Sequence, residues 1–388
     1  MRQSLLAATY GFVAGAAAAL VLWLMGFVSK LVWSGPDGRW YVFLVIASGG
    51  VIIALLRHWY AGEGLSEQID AVRRPHEQKH RNALLLALMA IIAVGFGGAV
   101  GPEAGILAVV AEMSALITSL IAHDATDERL IGEAGAAGAL GGLYGSPPGG
   151  AAIAQEHPEA PQWQVYLAGL TGLLGFLLVA KRLLPEIGLR IHLPPHEAAG
   201  DGTDMLWALL PAALGAAIGL VFVATLPPIE KLLHRAGGIT AQTIAGSVLF
   251  AALASAFPIL RFSGHHELEA MLHWAQEAGM GTLLVLGALK ALALALCLSS
   301  GWRGGAAFPL LFAGAAAGGA AVWLLPSMPI TVALVSGMTA AITAGMGKPI
   351  AAMLIALLLI GPAAVGPLSV GGLVGWGASR LLPAPKLH

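Results

Sequence analysis

The chain has 388 residues, 57% of them hydrophobic and only 11% charged, with a mean hydropathy of +0.81. A soluble domain carries roughly 25% charged residues, so this composition cannot solvate a water-soluble surface and excludes cytosolic catalysis and nucleic-acid binding as leading functions. Its 20 basic and 21 acidic residues advertise no basic patch, and its single cysteine, Cys297, excludes a disulfide framework and a Cys-based metal site.

A membrane span needs about 20 apolar residues. The first run, 5–33, exceeds the roughly 7–15 residues of a secretory signal core and reads as a spanning helix. Further apolar runs lie at 41–56, 83–121, 130–154, 164–184, 204–226, 239–258, 280–299, 303–325, 328–346 and 349–383. Several are too long for one crossing or are cut by Gly and Pro, which predicts roughly 12–16 helical pieces, many short or tilted. The polar stretches are 57–82, 122–130, 155–162, 185–203 and 261–279, and no soluble domain is expected before or after the bundle. The 57–82 loop holds Arg57, Arg73, Arg74, Lys79 and Arg81, whereas 29–40 holds only Lys30 and Arg39. Positive charge stays inside, so that loop and the N-terminus are expected in the cytoplasm. A compact multi-pass chain of this kind suits a prokaryotic inner membrane.

The chain echoes itself. Gly11 and Gly15, in a run ending at Lys30, match Gly215 and Gly219, in a run ending at Lys231. Gly98–Pro102 matches Gly304–Pro309, and Gly142–Pro148 matches Ala344–Pro349, in the same order. Two membrane repeats are therefore expected, 1–184 and 204–388, joined by a polar linker at 185–203. Duplicated halves with matching Gly/Pro interruptions point to a transporter or channel with its site at the repeat interface.

Non-helical backbone at membrane depth survives only where it is buried or lines a cavity. The Gly98–Pro102 and Gly304–Pro309 turns each open a new helix, with proline in its first turn. A helix N-terminus carries partial positive charge and unpaired amides, so it attracts anions. Two such ends converging would bind an anion without a buried Lys or Arg, weakly enough to release it. The candidate donors are the amides of Ala99, Val100, Gly101, Ala306, Ala307 and Phe308. Packing kinks are the plainer reading of the same glycines and prolines.

These segments carry a resemblance. Ser299–Gly314, with Gly304-Gly-Ala-Ala-Phe-Pro309 at its centre, resembles the GxFxP region of the CLC chloride channel and transporter family. Gly98–Pro102 resembles that family's G-(K/R)-E-G-P segment, Gly62–Ser66 its G-S-G-I-P motif, and Lys348-Pro349 the start of its late helix pair. The resemblance implies an all-α polytopic fold with two inverted-topology repeats of short, tilted and broken helices. It also implies a homodimer with one path per subunit, and transport of a small inorganic anion, chloride first among them. The departures matter. Val100 stands where the family has its gating and proton-carrying glutamate, and losing that group is associated with uncoupled, channel-like conduction. Glu103, just after Pro102, is the candidate for a displaced substitute, although it is expected to face about one helical turn away. Glu63 replaces the family's central serine, so Glu63, Gly64 and Ser66 are candidates for the anion path: either Glu63 titrates as a new proton group, or the motif is only a loop and Ser66 approaches the anion. Glu156 is the nearest match to the cytoplasmic proton glutamate, about two residues out of register, and reads first as a solvated helix-end carboxylate. The terminal helix that bears the family's anion-coordinating tyrosine is expected to be missing, since no tyrosine follows Tyr166.

Rival signals are fewer. His76-Glu77-Gln-Lys-His80 matches the H-E-x-x-H zinc-protease motif, but its flanks are polar and no third ligand is evident. His265, His266 and His273, with Glu267 and Glu269, read as a solvent-facing vestibule or loop before they read as a metal site. Gly345-Met-Gly347-Lys348 lacks the spacing of a P-loop. The expectation is therefore a channel-like or uncoupled anion conductor in the lipid bilayer, not an enzyme, with no cofactor. Its alternative is a proton-coupled antiporter using Glu63 or Glu103, and the most distant one is an intramembrane metalloprotease.

Overall fold

The computed structural model describes residues 2–36, 38–59, 80–154, 162–183, 193–194, 196–198, 201–265, 267–268, 271–360 and 364–382. Among these, fifteen α-helices run in chain order. They are α1 (Arg2–Val32), α2 (Arg39–Trp59), α3 (His80–Gly95), α4 (Glu103–Ile121), α5 (Ala125–Leu143), α6 (Pro147–Ala154), α7 (Gln162–Leu183) and α8 (Thr203–His234). There follow α9 (Ile239–Ala256), α10 (Met271–Glu277), α11 (Met280–Ser299), α12 (Ala307–Ala321), α13 (Ile330–Met346), α14 (Pro349–Ile360) and α15 (Val365–Ser379). Seven of the helices are long and apolar enough to cross a membrane. At 1.5 Å per residue, the 31 residues of α1 outreach a hydrocarbon core of about 30 Å, so this helix must tilt or protrude.

The long apolar runs break where glycine and proline predict. The run 83–121 divides into α3 and α4 at residues 96–102, and 130–154 divides into α5 and α6 at 144–146. Two boundaries differ from expectation. The polar 122–130 stretch already contains the start of α5, because the Asp124 carboxylate caps it by accepting the Thr126 and Asp127 amides at 3.0 and 2.8 Å. The polar 261–279 stretch holds the short helix α10.

Small residues let the helices touch backbone to backbone. In one group α1, α5 and α7 pack on one another, and in another α8, α13 and α15 do the same. An added methyl at Gly15 would collide with the Gly172 backbone, one at Gly172 with Gly138, and one at Gly215 with Gly337. Without a water-driven hydrophobic force between helices in lipid, such close contact is what holds them together. Helices α12 and α13 are buried along nearly their whole length, and Ala and Gly make up most of α12.

Helix α2 packs on α9, α6 packs on α14, and the turn before α4 pairs with the turn before α12. Gly101 faces Gly305, an offset of 204, because Pro102 caps α4 whereas Pro309 sits inside the first turn of α12.

Candidate anion site

The two turns are joined by reciprocal backbone hydrogen bonds. The Gly101 amide donates to the Gly305 carbonyl at 2.8 Å and the Gly305 amide to the Gly101 carbonyl at 2.9 Å. Helices α4 and α12 thus begin on either side of one junction. The Gly101 amide is committed to this bridge and is withdrawn from the donors expected from sequence. Ala99, Val100, Ala306, Ala307 and Phe308 are all buried at the junction. The first intrahelical bond of α12 recorded there is Leu310 N to Ala306 O at 3.1 Å, so the Ala307 and Phe308 amides belong to the unladdered first turn. Val100 packs its side chain against Gly304 and places apolar surface there.

Glu103 is the first residue of α4 and is 1% exposed. Its carboxylate does not face away by a helical turn but folds back over the junction. A methyl built on Gly101 or on Gly305 would stand 2.7 Å from Oε1 and closer still to Oε2. Oε1 accepts a hydrogen bond from the Tyr144 hydroxyl at 3.1 Å, while Oε2 is buried without a hydrogen-bond partner. Tyr144 lies just past α5 and its ring packs at 5.6 Å from that of Phe308. A buried acceptor left unpaired costs about 1–3 kcal/mol. Helix N-termini offset that cost for a negative charge.

Sequence reasoning passed over Tyr144. The chain has only five tyrosines, and this one stands inside the quoted Gly142–Pro148 echo. A hydroxyl beside a Gly/Pro break at membrane depth was the available signal.

A cavity of about 320 Å³ adjoins the junction, lined by Pro102, Leu143 and Phe308 on one side and by Ser263, His265 and Glu267 on another. The His265 ring meets Phe308 edge-on at 4.9 Å. His265 and Glu267 therefore line a vestibule. His266 and Glu269 lie outside the described residues. Lys290, fully buried, does not reach the junction. Its ammonium donates to the carbonyls of Leu260, Arg261 and Phe262 at 3.2, 3.2 and 2.8 Å and lies over the Phe312 ring. Arg57, near the end of α2, donates to Thr243 Oγ1 at 2.7 Å and to the Ser300 carbonyl at 3.1 Å, bracing the turn before α12 from behind. Trp302 in that turn donates to Ser247 Oγ at 2.9 Å.

Glu63, Gly64, Ser66 and Glu156 lie outside the described residues, as do His76, Glu77 and the side chain of His80. Among the described residues, no group of three or more His, Cys, Asp or Glu side chains is placed to hold a metal ion.

Comparison with known proteins follows the same line. The YfeO protein of Salmonella schwarzengrund (strain CVM19633), provisionally described as an ion-transport protein, is 29% identical over 288 residues, 72% of this chain and 68% of its own length. The YfeO protein of Salmonella choleraesuis (strain SC-B67) is 28% identical over the same extent. A slow cyanobacterial Cl⁻/H⁺ antiporter has a similar structure, with a TM-score of 0.80 at 18% identity, covering 100% of this chain and 96% of that one. A CLC-type fluoride/proton antiporter gives 0.74 at 17% identity, covering 99% and 98%. These two likenesses establish the fold. The model of the voltage gated chloride channel family matches residues 49–380, most of the chain, and the protein belongs to that family.

Proposed function

We propose that this protein carries a small inorganic anion, chloride or fluoride, across the membrane in exchange for protons, with Glu103 as the proton-carrying group. The observation that carries the reading is the Glu103 carboxylate, lying with an unpaired Oε2 over the Gly101–Gly305 junction. It is a tethered anion in the place where α4 and α12 present their N-termini. Two unit negative charges 4 Å apart repel by about 4 kcal/mol at an effective dielectric of about 20. That is nearly a thousandfold in occupancy, so a free anion and the ionised carboxylate exclude each other. Protonation removes the charge and lets the carboxyl yield the seat to an ion at the Ala307 and Phe308 amides, and deprotonation drives the ion out. Val100 takes no part in proton movement. The described likenesses to a Cl⁻/H⁺ antiporter and a fluoride/proton antiporter support this reading over uncoupled conduction.

The same proposal divides the chain into halves 1–184 and 204–388 about the junction, supported by the contacts of α2 with α9 and α6 with α14. It places the N-terminus in the cytoplasm of a bacterial inner membrane and pairs two copies as a homodimer. Glu63 and Glu156 are the carboxylates to examine for a second proton step, with Gly64 and Ser66 beside the path.

The test is halide efflux from vesicles holding the pure protein, with external pH recorded together. Wild type should move halide and protons together, and Glu103→Gln should move halide alone. No halide flux from wild type would overturn the anion assignment, and undiminished proton movement in Glu103→Gln would overturn the role of Glu103.

A further inference from the structure

Two cavities lie side by side, and Phe262 lines both of them. The inner one is the vestibule of about 320 Å³ that reaches Pro102 and Phe308. The other, about 520 Å³, is lined by Trp33, Arg39, Tyr41 and Arg261 as well as Phe262, at the face where α1 ends and α2 begins. Phe262 is also the only non-glycine residue with positive φ, +57°, among those described. Such a backbone costs on the order of 1 kcal/mol for a bulky residue and persists only when its surroundings enforce it. Here the Phe262 amide donates to the Gly97 carbonyl at 3.1 Å, its carbonyl accepts from Lys290, and its ring meets Trp33 edge-on at 5.7 Å. Gly97 leads directly into the turn that carries Val100 and Gly101. The Arg261 guanidinium lies over Trp33 at 4.5 Å, and Arg39 is exposed at the same mouth.

We propose that Phe262 is the gate of the anion path, its ring separating a cationic antechamber at Arg39 and Arg261 from the inner vestibule that ends at the Glu103 junction. This rests on the transport reading above. The two arginines raise the local concentration of small inorganic anions. Lys290 positions the gate by fixing the turn 260–262, and its charge is spent on carbonyls rather than on the ion.

Ser263 lines the inner cavity, and the native Cys297 is buried. A Ser263→Cys protein is labelled with an anionic methanethiosulfonate, with Phe262 intact and with Phe262→Gly. Glycine accepts the positive φ without strain, so the second variant keeps its backbone. Labelling should be about tenfold faster with Phe262→Gly, removing a barrier on the tenfold scale, and slower with Phe262→Trp. Arg39→Gln with Arg261→Gln should slow the anionic reagent at low salt and spare its cationic analogue. Equal labelling rates in the Phe262 and Phe262→Gly backgrounds would overturn the gate. Labelling reads the barrier whether or not halide is carried, so a wild type without halide flux sinks the transport reading separately. Should Ser263→Cys fail to fold, halide flux decides: a rise of about tenfold in Phe262→Gly supports the gate, and unchanged flux overturns it.

Discussion

Gly305→Ala puts a methyl group against the Glu103 carboxylate, into the seat proposed for the ion. Its Cβ would stand 2.7 Å from Glu103 Oε1 and closer to Oε2 and Cδ, where ordinary contact begins near 3.4 Å. The carboxylate must withdraw by about 1 Å, and the 3.1 Å hydrogen bond from Tyr144 then stretches beyond useful length. A halide taking the place of Oε2 meets the same methyl and loses reach of an amide. One charge-assisted contact is worth about 1.5–3 kcal/mol, so halide affinity should fall roughly 10- to 150-fold. Overpacking should cost the fold about 1–3 kcal/mol. The assay is calorimetric titration of the purified protein with halide at acid pH, where Glu103 does not compete, beside a thermal melt. Gly377→Ala, whose methyl would meet nothing within 4 Å, is the control. Undiminished halide affinity in a folded Gly305→Ala protein would refute the claim that the junction is the seat.

Three further predictions use the same preparations. Tyr144→Phe keeps the ring against Phe308 but leaves Oε1 of Glu103 unpaired, so a melt should show a loss of about 1–3 kcal/mol and vesicles an altered proton-to-halide ratio, whereas unchanged melting and ratio would remove Tyr144 from the site. Lys290→Met strips the carbonyls of Leu260, Arg261 and Phe262 of their shared donor; it should cost about 3 kcal/mol, read as a lowered melting temperature in detergent, and a wild-type melt would contradict the positioning role. Gly172→Val drives a branched side chain into the Gly138 backbone and should cost 3 kcal/mol or about that, with a loss of monodisperse protein on gel filtration as the readout.

The span pattern was legible because apolar length and Gly/Pro breaks act locally. The turns before α4 and α12 could be placed from Gly98–Pro102 and Gly304–Pro309 alone. What joins them could not, since the Gly101–Gly305 bridge depends on how distant segments dock. Glu103 was found as a carboxylate, but its direction was misjudged: a first-turn side chain can fold back over its own N-terminus, which helical spacing does not describe. Its partner Tyr144 is 41 residues away, brought close only by the packing of α4 on α5.

In the proposed mechanism the Glu103 carboxylate and a mobile anion compete for one seat. That competition is tested most directly by halide affinity as a function of pH in wild type and in Glu103→Gln. A competing carboxylate is neutral at low pH and charged at high pH, so wild-type affinity should fall as pH rises, whereas Glu103→Gln should bind with one affinity throughout. Equal pH dependence in the two proteins would contradict the account.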